Sequence, residues 1–171
     1  VLLSCGGNSS ETKEAANETE TIVGGRLNLE VVVKEAPNEL GKLLGVFGNQ
    51  NFIADSARSD ANGKFVFEAD SLLPTGFYYL MLGSDNSYFQ LLLDKDQEFK
   101  LATTKGDFVN SMKVDGCLDN ELLYKNLKFE AGFGTRIQPI NTQMAGLTEG
   151  TAEFNTVKAK QNALIKERID H

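Results

Sequence analysis

Few side chains in this sequence could carry out chemistry, and its two cysteines are the first of them. Cys5 follows an apolar start, and Cys117 stands alone between a predicted strand and a predicted helix. A thiolate at a helix N-terminus is stabilised by the helix dipole, so Cys117 could be a reactive free thiol. Cysteine is also among the residue types most often buried, and the nearby carboxylate of Asp119 opposes a thiolate. The sequence therefore favours a structural role for Cys117.

Other catalytic and metal-binding patterns are missing or incomplete. His171 is the only histidine and the last residue, so no Ser-His-Asp or Cys-His arrangement and no histidine-based metal site is expected. Asp94, Asp96 and Glu98 have the alternate spacing of calcium ligands, but the glycine and distant glutamate of an EF-hand loop are absent. A solvated turn is favoured there, and we expect no catalytic residue, no metal and no cofactor.

A binding role would need aromatic side chains on an exposed face. The sequence has no Trp, and aromatic residues cluster in 77–79 and 88–89, inside two predicted strands. Alternation along a strand turns some of these rings outwards. Tyr78 and Tyr88 are the candidates for a face that captures a glycan or a peptide.

The composition is that of a soluble globular chain. Hydrophobic residues make up 41% and charged residues 24% of the 171 positions. The formal net charge of -7 argues against nucleic acid as a partner, because affinity for a phosphate backbone comes from clustered Lys and Arg. Beyond residue 5, no apolar run approaches the roughly 20 residues that span a bilayer.

The first five residues indicate a membrane anchor. Leu2-Leu3-Ser4-Cys5 resembles the lipobox of bacterial lipoproteins, in which the apolar segment is removed and the cysteine is acylated. Each buried lipid CH₂ contributes about 0.8 kcal/mol of membrane affinity. Residues 8–21 contain only Ala as apolar residues and predict a flexible tether.

We therefore expect residues 1–21 to be a lipoprotein signal remnant and tether, with lipid attached at Cys5. The protein would then be a periplasm-facing or outer-membrane lipoprotein of the cell envelope. Two alternatives remain at this stage. Residues 1–5 could be a frayed first strand with Cys5 in the core, or an unacylated Cys5 could pair with Cys117 in an oxidising compartment.

Strand signals dominate residues 22–116. Alternating or short apolar runs recur about every ten residues with turn residues between them, which predicts an antiparallel β-sandwich or barrel-like domain. Asn62-Gly63 predicts a type I′ hairpin turn. The nearly continuous apolar runs predict strands buried on both faces or in the middle of a sandwich. The predicted strands cover 26–33, 42–48, 52–59, 64–68, 77–83, 88–93, 98–103 and 111–114.

Helical periodicity replaces the strand pattern in residues 117–171. A first helix begins near Asp119 or Asn120 and is expected to end or break at 132–134, with Pro139 as a further break signal. A second helix begins near Thr151 with an apolar stripe on one face. That stripe needs a partner, which could be the first helix, the sandwich or a segment that the given sequence does not include. A homodimer through the helical segment is also expected.

Four passages carry a resemblance to a known family. They are DSARSDANGKFVFEA (55–69), LLPTGFYYL (72–80), FQLLLDKDQEFKL (89–101) and VDGCLDNELLY (114–124). With the lipobox and tether, their order resembles the N-terminal half of lipid-anchored thioredoxin-like proteins of the TlpA/ResA type from Gram-negative envelopes. In that family, a β-sandwich of unassigned function and a helical segment precede a disulfide-reductase domain.

The chemistry of that family belongs to a Cys-x-x-Cys motif, which this sequence lacks. The resemblance therefore implies a non-catalytic spacer, interaction or dimerisation domain of a thiol-disulfide oxidoreductase. The sequence does not begin with Met and its helical pattern runs to His171, which is typical of a fragment. The resemblance implies that a thioredoxin-like domain follows. The alternative function is a lipoprotein domain that binds a glycan or peptide.

Overall fold

The computed structural model describes residues 25–48 and 50–171. Cys5 and the expected tether lie outside the described residues. Eight strands and three helices are described. They are β1 (Leu27–Lys34), β2 (Leu40–Phe47), β3 (Gln50–Arg58), β4 (Lys64–Ala69), β5 (Gly76–Leu82), β6 (Tyr88–Leu93), β7 (Glu98–Thr104), α1 (Phe108–Ser111), β8 (Lys113–Asp115), α2 (Leu118–Ala145) and α3 (Ala152–Ile169).

The strands form two four-stranded sheets that enclose one core. Sheet 1 has the order β4-β1-β7-β8, and sheet 2 has the order β3-β2-β5-β6. Neighbouring strands are antiparallel except β1 and β7, which run parallel. The expected mainly β fold with C-terminal helices is confirmed. The two sheets do not close into a barrel, and the parallel pair is a departure from the expected antiparallel arrangement.

The core lies between the sheets and follows the alternation of the strands. On β1, Leu29, Val31 and Val33 are fully buried while the residues between them are half-buried. Sheet 2 supplies the opposite side of the core through residues such as Leu80 and Leu91, both fully buried. Burial of each such side chain stabilises the fold by about 1.5–3 kcal/mol.

The turn at Asn62-Gly63 carries the chain from sheet 2 to sheet 1, so the predicted hairpin is wrong. The N–H of Gly63 donates to the carbonyl of Asp60 (3.1 Å), and only Gly63 has a positive φ, of 79°. The carboxylate of Asp60 accepts from the N–H groups of Asn62 (2.8 Å) and Lys64 (2.9 Å). A side chain at position 63 would collide with the carbonyl oxygen of Val33, which requires glycine there.

Strand β3 forms one edge of sheet 2 and contains a bulge. The register with β2 shifts between Leu43 and Leu44, so that Ala54 has no opposite residue. Beside the bulge, the N–H of Ser56 donates to the carboxylate of Asp55 at 2.7 Å. A bulge of this kind bends an edge strand and interrupts its row of pairing groups.

Helix α2 is continuous through Gly132, Gly134 and Pro139, so the predicted helix break is wrong. Helix α3 packs along it and buries Phe133 and Val157 between the two helices. Such tertiary packing outweighs the unfavourable helix propensity of Gly and Pro. Helix α3 begins where its sequence predicts.

A side-chain cap stabilises the start of α3. The hydroxyl of Thr151 accepts the N–H of Phe154 (3.2 Å) and caps α3.

The last predicted strand, 111–114, is different in the structure, because the one-turn helix α1 precedes the shorter β8.

Candidate functional site

The outer side of sheet 2 is the most distinctive surface of the described chain. Its apolar side chains include Ile53 (60% exposed), Phe77 (49%) and Tyr88 (61%). In the register, Leu44 lies opposite both Ile53 and Tyr79. We call this surface the apolar face. Its strand residues are Asn51, Ile53, Ser56 and Arg58 on β3, Leu40, Lys42, Leu44 and Val46 on β2, Phe77, Tyr79 and Met81 on β5, and Tyr88, Gln90 and Leu92 on β6.

The continuous apolar sequences of β5 and β6 predicted strands that are buried on both faces or lie in the middle of a sandwich. Burial on both faces is wrong, because only the side of each strand that faces the core is fully buried. Each alternates between buried residues and residues that are half-buried or exposed. The inward set fills the core, and the outward set forms part of the apolar face. The continuous apolar run therefore marks a strand with two apolar sides, of which only one is covered within the described residues.

Tyr78 and Tyr88 were alternative candidates for an exposed binding face, but they lie on opposite sides of sheet 2, and the choice of Tyr78 is wrong. Tyr78 is 2% exposed, and its hydroxyl donates to the carbonyl of Pro74 at 2.7 Å. Burial raises the pKa of the Tyr78 hydroxyl. Its ring also packs edge-on against Phe52, with 6.4 Å between the ring centroids. Tyr78 is a core residue, and Tyr88 alone remains a candidate for surface binding.

Tyr88 separates two shallow concave regions. One, of about 390 Å³, lies on the apolar face and is bordered by Val46, Asn51 and Tyr79. The Tyr79 ring meets Tyr88 edge-on at 5.5 Å between centroids. The other region, of about 410 Å³, lies between β6, α1 and α2 and includes Asp107. Tyr88 is therefore an exposed aromatic ring between two concave regions, and its binding role stays a prediction.

A polar cluster that sequence reasoning missed joins three connections at one end of the sandwich. The ammonium group of Lys105 contacts carboxylate oxygens of Glu39 (3.1 Å) and Asp85 (3.3 Å) and the hydroxyl of Ser84 (2.7 Å). The Ser84 hydroxyl also donates to Glu39. These residues are far apart in sequence, and their types are common on protein surfaces, so no local pattern indicates the cluster.

Ser84 and Lys105 together do not make an activated nucleophile. A lysine that removes a proton from serine must itself be neutral. Burial lowers the pKa of Lys105, but hydrogen bonds to Glu39 and Asp85 outweigh it and raise the pKa overall. Burial raises the pKa of Glu39, but hydrogen bonds from Ser84 and Lys105 outweigh burial and lower the pKa overall. The cluster is a set of ion pairs and hydrogen bonds that holds three loops together.

Cys117 occupies the N-cap position of α2 but does not cap the helix with its sulfur. The thiol is free and half-buried, and its sulfur accepts a hydrogen bond from the amide of Asn120 at 3.1 Å. Asp119 and Glu121 place two carboxylates in the same first turn. The position at a helix N-terminus is the one that a reactive thiol would require. The contacts place the sulfur in the packing between helix and sandwich.

Asn120 and Tyr124 attach α2 to the open edge of strand β6. The amide of Asn120 accepts the N–H of Leu92 and donates to its carbonyl, both at 2.8 Å. The hydroxyl of Tyr124 donates to the carbonyl of Gln90 at 2.7 Å. Asn120 is fully buried, and burial strongly raises the pKa of Tyr124. These side chains replace a neighbouring strand and close this edge of sheet 2.

The remaining candidate groups do not converge on a site. The ring of His171 stacks on Phe129, with 3.7 Å between centroids, at the base of the helical pair. Glu98, one of the three acidic residues with calcium-like spacing, is paired with Arg26 at 3.2 Å. No group of three or more His, Cys, Asp or Glu residues with the arrangement of a metal site occurs among residues 25–48 and 50–171. No described helix has the length and apolarity of a membrane span.

Comparison with known proteins adds a family to this geometry. A search of curated proteins returned no match. One family model, described as "Domain of unknown function (DUF4369)", matches residues 27–123. The matched range contains all eight described strands and the beginning of α2, including Asn120 and therefore part of its attachment to β6. Because this match covers more than half of the sequence, the chain belongs to the DUF4369 family of domains of unknown function.

Proposed function

We propose that this chain is a non-catalytic spacer and interaction domain of a membrane-anchored envelope thiol-disulfide oxidoreductase. The observation that carries the proposal is a helical arm fixed to the sandwich at one end. Helix α2 has 28 residues, which corresponds to a length of about 42 Å. Its first turns are bonded to β6 through Asn120 and Tyr124, and the later turns pair with α3.

The arm is supported along its length by contacts between α2 and α3. Arg136 pairs with Glu167 at 2.6 Å, and Arg168 pairs with Glu130 at 2.8 Å. The guanidinium group of Arg168 also lies 5.0 Å from the ring centroid of Phe133. Individual pairs of this exposure contribute little, but several of them together favour one alignment of the two helices. A stiff arm would hold a following domain at a defined distance from the sandwich.

The chemistry of the described side chains supports a non-catalytic role. The pKa of Lys105 is raised by its acidic partners, so this lysine remains protonated at neutral pH. The sulfur of Cys117 packs at the junction between α2 and the sandwich. The lipobox-like start with Cys5 and the sequence resemblance to thioredoxin-like lipoproteins support the envelope location and the membrane anchor. They also support a thioredoxin-like domain after His171 as the catalytic partner.

The spacer role is tested by measuring the stiffness of the arm. Spin labels at the exposed positions Asn62 and Thr148 report the distance between the sandwich and the far end of the helical pair. We expect one narrow distance distribution for the chain and a broader one for Asn120→Ala, because the bonds to β6 are lost. Asn126→Ala, an exposed asparagine on the same helix, serves as the matched control. A broad distribution in the unsubstituted chain would contradict a spacer role.

The non-catalytic assignment is tested by reduction of insulin disulfides in the presence of dithiothreitol. We expect the purified chain to give the rate of dithiothreitol alone, because Cys117 has no second cysteine beside it. Cys117→Ser is the control. An acceleration that Cys117→Ser abolishes would overturn the assignment.

A second candidate function is the binding of a glycan or peptide at Tyr88. The exposed Tyr88 ring between two concave regions favours it. A ligand of this class would stack on the ring and raise the unfolding temperature in a thermal-shift screen. Tyr88→Ala should abolish that shift, and Tyr88→Phe should retain most of it. A shift that survives Tyr88→Ala would exclude this site.

A further inference from the structure

The apolar face carries positive charge, although the protein as a whole has a net charge of -7. Its charged strand residues are Lys42 and Arg58, and none of the strand residues on this face is acidic. Neither cation pairs with a carboxylate among the described residues, although Arg58 donates to the carbonyl of Asn38 at 2.8 Å. A surface that covers this face should therefore be apolar and acidic.

The outward side of the first turns of α2 has the complementary character. Leu118 is 67% exposed and Leu122 is 54% exposed. Asp119 and Glu121 flank them, and Lys125 one turn later is the first cation on this side. Asn120 and Tyr124 direct the opposite side of the helix towards β6. Within one copy, the exposed leucines therefore point away from sheet 2.

The two complementary surfaces are close neighbours, since α2 is attached to the edge of the sheet that carries the apolar face. A two-fold axis near this edge would place the α2 start of each copy on the apolar face of the other. Such an arrangement forms the same contact twice and closes without leaving either surface open. The leucines would then meet apolar side chains of the face, and the acidic residues would meet the cations.

We infer that the chain forms a two-fold dimer in which the apolar face of each copy binds the start of α2 of the other. This inference rests on the proposed interaction role and names a second copy as the partner. An anionic lipid surface is a weaker match, because the protein as a whole is negatively charged and two cations supply little attraction. The two leucines and two carboxylates of α2 match the face in both hydrophobicity and charge.

Charge reversal on each surface tests the dimer by sedimentation velocity. Variant A is Lys42→Glu with Arg58→Glu, and variant B is Asp119→Lys with Glu121→Lys. Each should dimerise at least about tenfold more weakly than the unsubstituted chain, because like charges meet twice in its homodimer. In an equimolar mixture, both contacts between A and B join opposite charges. The mixture should therefore regain a dimer with one copy of each variant.

The matched control reverses two cations on the outer side of sheet 1, Lys34→Glu with Lys113→Glu. It changes the net charge by the same amount as variant A and should leave the dimer intact. Circular dichroism establishes that each variant is folded. If a variant is unfolded, carbodiimide cross-linking of mixed isotope-labelled and unlabelled chains provides the test. It should join Lys42 of one copy to Asp119 or Glu121 of the other.

A monomer throughout the concentration series would overturn the inference, as would a dimer unaffected by variants A and B. A monomer that binds anionic vesicles through the apolar face would overturn it in favour of a lipid surface. Failure of the dimer leaves the spacer role standing, because neither the spin-label distance within a chain nor the insulin assay requires a dimer.

Discussion

The two sheets share one core but present different surfaces to the outside. On the outer side of sheet 1, Glu30 lies between Lys64 (2.8 Å) and Lys100 (3.8 Å), and Arg26 pairs with Glu98. On the outer side of sheet 2, apolar and aromatic residues surround two cations. Charged pairs are typical of a solvated face, whereas a contiguous apolar surface is typical of a binding face. The inner sides determine the fold, and the outer sides distinguish a solvated, charged sheet from one with an exposed apolar surface.

The largest effect on the free energy of unfolding is expected at a tyrosine on the inner side of sheet 2, and a tyrosine on the outer side serves for comparison. Tyr78→Ala should lower the free energy of unfolding by about 3–5 kcal/mol, because it removes a buried ring. Tyr88→Ala should lower it by less than about 1 kcal/mol, because the ring is mostly exposed. Urea unfolding monitored by circular dichroism measures both. Equal losses would contradict the assignment of these tyrosines to opposite sides.

The next effect concerns the edge of sheet 2 at β6. Asn120→Ala should lower the free energy of unfolding by about 2–3 kcal/mol, because the N–H and carbonyl of Leu92 lose their partner. Amide hydrogen exchange should become faster at Leu92 than at residues of β5. Asn126→Ala, on the exposed side of α2, is the control and should change neither quantity appreciably. Unaltered exchange at Leu92 would show that the strand edge does not depend on the Asn120 amide.

A smaller effect is expected at the polar cluster that ties loops of both sheets together. Burial raises the pKa of Glu39, but the hydrogen bonds from Ser84 and Lys105 lower it below its ordinary value. The carboxylate therefore stabilises the fold above the unfolded-state pKa of about 4.3, and this contribution disappears as the pH falls through the lower folded-state pKa. Glu39→Gln should flatten the dependence of unfolding free energy on pH in this acidic range. A curve parallel to that of the unsubstituted chain would exclude Glu39 from acid unfolding.

The smallest effect is expected for single charged residues on the outer sides of sheet 1 and sheet 2. The hydrogen bond from Lys64 lowers the pKa of Glu30, the proximity of Lys100 acts in the same direction, and burial opposes both. Glu30→Gln should slightly lower the urea midpoint, and added salt should reduce this difference. Lys42→Gln removes a cation that has no acidic partner within the described part of the chain. It should leave the midpoint of the monomer unchanged, and a loss as large as that of Glu30→Gln would contradict this contrast.

Local sequence patterns predict most strands because alternation and turn residues depend on neighbours in the chain. They do not determine which sheet a strand joins. Asn62-Gly63 has a strong hairpin pattern, yet the contacts of Asp60 and Val33 turn the chain into the other sheet. The parallel pairing of β1 with β7 joins residues about 70 positions apart, such as Leu29 and Phe99.

The candidate site was predicted only in part, for related reasons. Tyr78 and Tyr79 are identical neighbours, so the sequence does not specify which of them points inwards. The Lys105 cluster combines residues from three connections, and only the completed fold brings them together. Pro139 predicts a helix break from local backbone chemistry, but packing against α3 maintains α2 through it.

The margins of sheet 2 have a consequence for how this protein can assemble. Side chains of α2 occupy one margin, and the bulge with the Asp55 carboxylate interrupts the other. An apolar sheet with unpaired edge strands is a template for fibrils that add one chain after another. Here, neither edge of sheet 2 offers an uninterrupted row of backbone groups to a further chain. This favours small closed assemblies over fibrous growth.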